Sequence, residues 1–244
     1  MIRLKDITNW EQAIGNVVCG DCLDLMKMIP DKAIDLVLTD PPYGINYLSP
    51  WTDNHDIIKN DKMADWLELL PNMLRQFNRI LTDTGCCCCC CCGGGKTPVT
   101  ALFTIEAIKH FNLIQTLVWR KFIGLGWRYR PAYENIVILS KSKDKYNFYD
   151  TTKSCSNVIE GINQDIPNSE EHPTQKPAEL MGRMINIHSI QNYIVLDPFC
   201  GGGSTLISAE RLGRRWIGCE ISEEYCTIAD KRIKAERDQL KLNL

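Results

Sequence analysis

No run in this 244-residue chain is long and apolar enough to cross a bilayer. The amino terminus, Met1-Ile2-Arg3-Leu4-Lys5-Asp6, is followed by charged residues instead of the apolar core of an export signal. The sequence therefore predicts a cytoplasmic protein without membrane contact. Net charge is also small: a formal -2 at pH 7 and a pI near 6.1 exclude recognition of a polyanion by overall charge, so any such attraction must be local. Histidines number only four. Cys19-x-x-Cys22 finds no second close pair among Cys155, Cys200, Cys219 and Cys226, so no metal site is expected. Gly95-Lys96-Thr97 lacks the first glycine of a phosphate loop, position 90 being Cys90, and Pro98 follows directly, which sets nucleotide hydrolysis aside.

Cysteine, by contrast, is abundant: thirteen in all, seven of them consecutive from Cys86 to Cys92. Consecutive strand residues point to opposite faces and cannot close one tetrahedral metal shell, and disulfides are not expected without an export signal. Free cysteine behaves as a small apolar side chain, so the run is predicted to be a central strand.

With 44% hydrophobic residues the chain can bury one α/β core and a smaller insert, and residues 1–244 are expected to form a single main domain. Seven strand-like runs follow one another: Asn16 to Cys19, Ile34 to Thr39, the cysteine run, Leu113 to Trp119, Glu134 to Ser140, Ile194 to Phe199 and Arg215 to Cys219. Helical patterns at Ala64 to Leu81, Thr100 to His110, Pro177 to His188 and Glu223 to Leu240 lie between or after them. The alternation predicts an α/β fold with a doubly wound, mostly parallel sheet of seven strands. Asp144 to Glu171 is polar and weakly periodic and reads as long loops.

Chemistry concentrates first at Asp40-Pro41-Pro42-Tyr43, directly after the apolar run Ile34 to Thr39. A carboxylate, two rigid carbonyls and an aromatic ring at one strand end suit methylation of a flat, weakly nucleophilic amine. The lone pair of such an amine is delocalised, so acceptors on its N–H bonds are needed to localise charge as the methyl arrives. Asp40 and the Pro41 carbonyl can accept those bonds, Pro42 stiffens the turn, and Tyr43 offers a stacking face. The same four residues also suit a plain strand-ending turn. A second segment, Ile194 to Thr205, reads as a buried strand entering a glycine turn (Gly201-Gly202-Gly203) and a helix start at Ser204 or Thr205, whose first N–H groups would face an anionic group. Arg215 to Glu220 then looks like a strand ending in an acid, which suits a ribose diol. An ordinary strand-turn-helix with a solvated Glu220 is the alternative.

Between Trp119 and Lys145 stand seven basic residues against Glu134 and Asp144, with Trp119, Phe122, Trp127, Tyr129 and Tyr133 interleaved. Bases or sugars are touched by such mixtures, and Arg128 and Arg130 are the candidate DNA contacts; a charged hairpin at a sheet edge would read alike.

Taken together, the motifs resemble the amino-methylating DNA methyltransferases that use S-adenosylmethionine. The order, Asp40-Pro41-Pro42-Tyr43 ahead of Asp197-Pro198-Phe199-Cys200-Gly201-Gly202-Gly203-Ser204-Thr205, is similar to that of the β class, a circular permutation of the alternative order. The resemblance covers most of the chain. It implies the methyltransferase version of the sheet, with one antiparallel strand at Glu134 to Ser140; the local charge and aromatics make residues 119–171 the candidate target-recognition insert and its loops. Catalysis would fall to Asp40, Pro41, Pro42 and Tyr43. Cofactor binding would fall to Asp197, Phe199, Gly201, Gly203, Ser204 and Thr205, with Glu220 on the ribose and Asp21 and Cys22 beside the adenine. Thr174 and Lys176, from the further signature His172-Pro173-Thr174-Gln175-Lys176-Pro177, would lie near the methionine end.

The resemblance implies duplex DNA as partner, the target base flipped out of the stack because a stacked base hides its amine. A homodimer and a restriction endonuclease partner are left open. Asp at the first motif position leans towards N6 of adenine, since N4-cytosine enzymes of this class often carry Ser there. A cytosine C5 mechanism needs a Pro-Cys nucleophile, and none of the eleven prolines precedes a cysteine. An inactive DNA-binding module of the same fold is opposed by the intact motifs. A protein or RNA amine as acceptor is opposed by the motif order.

Overall fold

The computed structural model describes residues 1–44, 62–91, 98–122, 130–152, 154–163 and 175–242. Among them nine strands form one sheet: β1 (Ile2–Arg3), β2 (Val17–Cys19), β3 (Ile34–Thr39), β4 (Leu81–Cys91), β5 (Asn112–Arg120), β6 (Tyr133–Ser140), β7 (Val158–Ile159), β8 (Ile194–Asp197) and β9 (Arg215–Glu220). Their spatial order is β1-β2-β9-β8-β3-β4-β6-β5-β7. Only β6 runs antiparallel to its neighbours. All seven expected strands are present; the two additions are two-residue edge strands, too short to carry a hydrophobic period.

Helices cover both faces of the sheet: α1 (Cys22–Met28), α2 (Met63–Ile80), α3 (Val99–Ala107), α4 (Ala178–His188), α5 (Ser204–Arg211) and α6 (Glu223–Leu242). Trp66, Leu70, Met73, Leu74, Phe77 and Ile80 recur at helical spacing on α2 and bury one stripe against the sheet. With α1 and α3 this stripe forms one core cluster, and Leu180, Met184, Leu206 and Ala229 from α4, α5 and α6 centre the other.

Cys86 to Cys91 of the cysteine run lie in the central strand β4, between β3 and β6, and Cys92 lies outside the described residues. Cys87 and Cys89 join the first core, while Cys86, Cys88 and Cys90 join the second, as the pleat requires. Burial pushes the Cys86 thiol up to about 12, and those of Cys88 and Cys89 well above the ordinary value. Such thiols are inert apolar packing. Among the described residues no group of His, Cys, Asp and Glu is arranged to hold a metal ion, and no helix is long and apolar enough to cross a membrane.

The described part of 119–171 is built into the sheet and its cover. The Trp119 indole N–H donates to the Ile162 carbonyl at 2.9 Å, and the amides of Asn147 and Tyr149 donate to Thr84 and Ile187 at 2.8 and 2.7 Å.

Candidate active site

Strand order decides where the motifs meet. Chain leaving β3 turns to β4 on one side and chain leaving β8 turns to β9 on the other, so the β3/β8 boundary is a topological switch point with a crevice at the carboxyl ends. The carboxyl ends of β2, β9, β8 and β3 lie side by side and carry in turn Asp21 and Cys22, Glu220, Asp197 with the glycine turn, and Asp40.

The glycine turn is held by its neighbours' backbone. The Cys200 amide donates to the Cys219 carbonyl at 2.9 Å, and Gly203, at φ +84°, starts α5. A Cβ on Gly203 would lie 3.2 Å from that of Ala229, so a side chain there is strained by conformation and also needs Ala229 to give by a few tenths of an ångström. Glu220 accepts the Gly201 amide at 3.1 Å on one oxygen and the Ser222 amide at 2.8 Å on the other. Asp21 caps α1, accepting the Leu23 amide at 2.7 Å, and the Gly20 amide donates to the Glu220 carbonyl at 3.0 Å. The two acids therefore share one wall. Burial pushes the Cys22 thiol up to about 12. Ser204, at the start of α5, has a buried hydroxyl with no hydrogen-bond partner among the described residues. A buried orphan at a helix start is what a missing polar ligand would leave.

Asp197 is fully enclosed; it accepts the Thr39 hydroxyl at 2.8 Å and the Phe199 amide at 3.2 Å. Burial lifts its carboxyl to about 6, against the hydroxyls of Thr205 and Thr39 that favour the ionised form. Through Thr39 the ends of β3 and β8 are pinned together, which fixes Asp40 relative to the glycine turn.

Asp40 stands at the mouth of this crevice. Tyr43 donates its hydroxyl to Oδ1 of Asp40 and also to the Cys90 carbonyl at 3.2 Å. Pro41 is buried, Pro42 half-buried, and Gly44, at φ +69°, passes against the start of α2, where a Cβ would meet the Met63 Cα at 2.8 Å. Lys176 donates to Oδ2 of Asp40 and lies 3.4 Å from Oε2 of Glu134, with its Nζ 5.9 Å from the Tyr43 ring centroid. Burial pushes the Asp40 carboxyl up, opposed by the Lys176 ammonium and reinforced by Glu134. Desolvation works against the Lys176 ammonium, but Asp40 and Glu134 overcome it and hold its pKa well above the usual lysine value. Arg232 of α6 fastens this lysine's segment to the glycine turn, donating to Gln175 at 2.6 Å and to the Gly202 carbonyl.

The described site residues thus lie at the adjacent carboxyl ends of β2, β9, β8 and β3 or, as Lys176, against them, except Arg130, which is exposed just ahead of β6. Arg128 and Thr174 lie outside the described residues. Glu134, Lys121, Thr39 and Arg232 were not singled out for the site from the sequence. Glu134 had a signal: an acid opening a strand that is otherwise apolar and buried from Ile136 to Leu139.

A doubly wound sheet with a glycine turn beside its switch point and an acid at the next strand end is the architecture of α/β proteins that take nucleotide-like ligands at their strand ends. The particular family follows from comparison: residues 34–231 match the N6/N4 DNA methylase family, and the chain belongs to it. Relatives include the type II methyltransferase M.HpaI of Haemophilus parainfluenzae, 28% identical across 90% of this chain and 74% of that protein. Putative methylase YubD of Escherichia coli K12 is 29% identical across 91% of both chains. Among solved structures, the PvuII DNA methyltransferase, which is cytosine-N4-specific, superposes with a TM-score of 0.72 at 20% identity over 91% of each chain. The putative DNA modification methylase TTHA0409 of Thermus thermophilus, complexed with S-adenosylmethionine, gives 0.68 at 24% identity over 91% of this chain and 93% of that one.

Proposed function

We propose that the protein transfers a methyl group from S-adenosylmethionine to N6 of adenine in duplex DNA, with the target base rotated out of the stack and held beside Asp40. The observation that carries this reading is the position of the Asp40 carboxylate. It stands at the end of β3, one strand from the glycine turn that follows Asp197 and two strands from Glu220.

The crevice fits the cofactor by its donor set. Glu220 presents a carboxylate, an acceptor suited to a ribose diol, and Asp21 and Cys22 would flank the adenine. Asp197, Phe199, Gly201, Gly203, Ser204 and Thr205 would line the turn, where the unpartnered Ser204 hydroxyl awaits a polar group. Thr174 and Lys176 would face the methionine end. S-adenosylmethionine, when bound, supplies an electrophilic methyl group.

The chain's own residues then prepare the nucleophile. The Asp40 carboxylate and the Pro41 carbonyl accept the two N–H bonds of the amine and draw its lone pair out of ring conjugation as positive charge grows. Pro41 and Pro42 keep those acceptors fixed, so little reorganisation accompanies the reaction. Tyr43 stacks on the flipped base. Arg128 and Arg130 hold phosphate or a base edge from residues 119–171, the target-recognition part of a single domain.

Aspartate at the first motif position favours adenine over N4 of cytosine. DNA from a host expressing the protein, digested to nucleosides and weighed by mass spectrometry, is expected to contain N6-methyladenine. N4-methylcytosine would overturn the base assignment, and unmodified DNA would overturn the reaction.

A further inference from the structure

α4 begins two residues after Lys176 and ends at His188, about 15 Å further along its axis. Beneath it, against β5, β6 and β7, lies a cavity of about 230 Å³, and none of its lining residues belongs to the crevice at the strand ends. Leu117 of β5, Ile138 of β6, Ile159 of β7 and Met184 of α4 give it aliphatic walls. Three rings close one side. Phe148 meets Tyr146 edge-on with ring centroids 6.3 Å apart and His188 at 5.9 Å, yet it stays 47% exposed, so its neighbours cover only part of the ring.

His188 brings a polar atom into this apolar surround. It is 3% exposed, and its Nδ1 lies 2.9 Å from the Asn147 carbonyl. A carbonyl can only accept, so Nδ1 carries the ring proton and Nε2 is left as an acceptor. Burial lowers the ring's pKa and keeps it neutral at pH 7. Among the described residues Nε2 has no hydrogen bond. A buried acceptor without a donor is unfavourable, and water would satisfy it only by wetting the aliphatic walls.

We infer that this cavity is a second ligand site, which takes a flat aromatic molecule whose O–H or N–H group donates to His188 Nε2 while its ring lies against Phe148, Tyr146 and the aliphatic walls. Offset or edge-on contact with the two rings is the arrangement aromatic groups prefer. The volume falls below the roughly 300 Å³ at which drug-sized pockets begin, so the molecule has one or two rings. Polar substituents on its far side meet the rim, where Gln115 and Asn157 are exposed and Arg183 is half-buried. The Arg183 guanidinium disfavours a cation there. The site is independent of how the crevice is read, since the two share no residue.

Methyl-detected NMR of the full chain, titrated with phenol and separately with toluene, tests this, because the two molecules match in size and shape and only phenol carries a donor. Phenol should shift the Ile138, Ile159 and Met184 methyl signals to saturation, with a dissociation constant on the order of millimolar for so small a molecule. Toluene should bind at least about 10-fold more weakly, because it leaves the buried acceptor unpaired. Ile187→Phe, which fills the cavity from α4, should abolish the shifts and leave the affinity for S-adenosylmethionine unchanged. If that variant does not fold, Leu117→Phe fills the cavity from β5.

No saturation by tens of millimolar phenol, equal affinity for toluene, or shifts retained in the filled variant would each overturn the assignment. Displacement of phenol by saturating S-adenosylmethionine would overturn it as well, since phenol would then occupy the crevice.

Discussion

Replacing Glu220 by Gln separates its two tasks, since the side chain both ties the glycine turn to the end of β9 and is proposed to hold a ribose. The carboxylate accepts Gly201 and Ser222 amides at 3.1 and 2.8 Å. Glutamine keeps the size but turns an amide N–H₂ towards one of those backbone donors and removes the charge. Loss of one charge-assisted hydrogen bond to the diol should weaken S-adenosylmethionine by roughly 1.5–3 kcal/mol. That is about 10- to 150-fold, moving a dissociation constant on the order of micromolar to tens or hundreds of micromolar. Calorimetric titration measures it directly. The broken turn contact should also lower the melting temperature of the unliganded protein by about 2–4 °C per kcal/mol lost. If the dissociation constant were unchanged, the ribose assignment would be wrong whatever happened to the melting temperature.

Asp197 gives a pH signature: its folded pKa of about 6 stands above the ordinary 3.8. The folded chain thus holds that proton more tightly, and this group's contribution is full below about pH 4 and lost as pH rises through about 6. Urea titrations should show wild-type stability falling on the order of 2–3 kcal/mol more than that of Asp197→Asn over this range, and parallel curves would count against the buried carboxyl. Gly203→Ala, with φ at +84° and Ala229 at 3.2 Å, should cost at least about 1–2 kcal/mol, read as a lower urea midpoint; an unaffected midpoint would show that the turn relaxes freely. Arg128→Ala and Arg130→Ala should each lower the slope of log affinity against log salt by about 0.9 if phosphate is contacted, and unchanged binding in both would move the DNA contact elsewhere.

The seven regular strands and four of the helices were legible from their apolar runs or helical repeats, down to the three-residue β2. β3 and β8 carry apolar runs, and α2 repeats its buried residues at helical spacing. β1 and β7 have two residues each, and α1 has seven, too few to show a period. The cysteine run was readable from the physics of a small apolar side chain, and β4 is the result. Strand order was not readable from periodicity, since neither β3 nor β8 encodes its partner; the resemblance implied the sheet type, and the fold itself supplies the order. The glycine turn, Glu220 and Asp40 were visible as local motifs. Lys176 was expected near the cofactor, yet its ion pair with Asp40 spans 136 positions and no spacing rule reaches that far. Glu134 was counted only as an acid in a basic stretch, because its two lysine partners meet it through the fold and not along the chain.

The central claim is that the Asp40 carboxylate polarises the amine in the transition state. Its most direct test is the single-turnover methylation rate of Asp40→Ala with saturating S-adenosylmethionine and duplex DNA, alongside calorimetry of the cofactor. The rate should fall by about 10² or more while cofactor affinity and melting temperature change little. A variant that methylates DNA at near wild-type rate would contradict it.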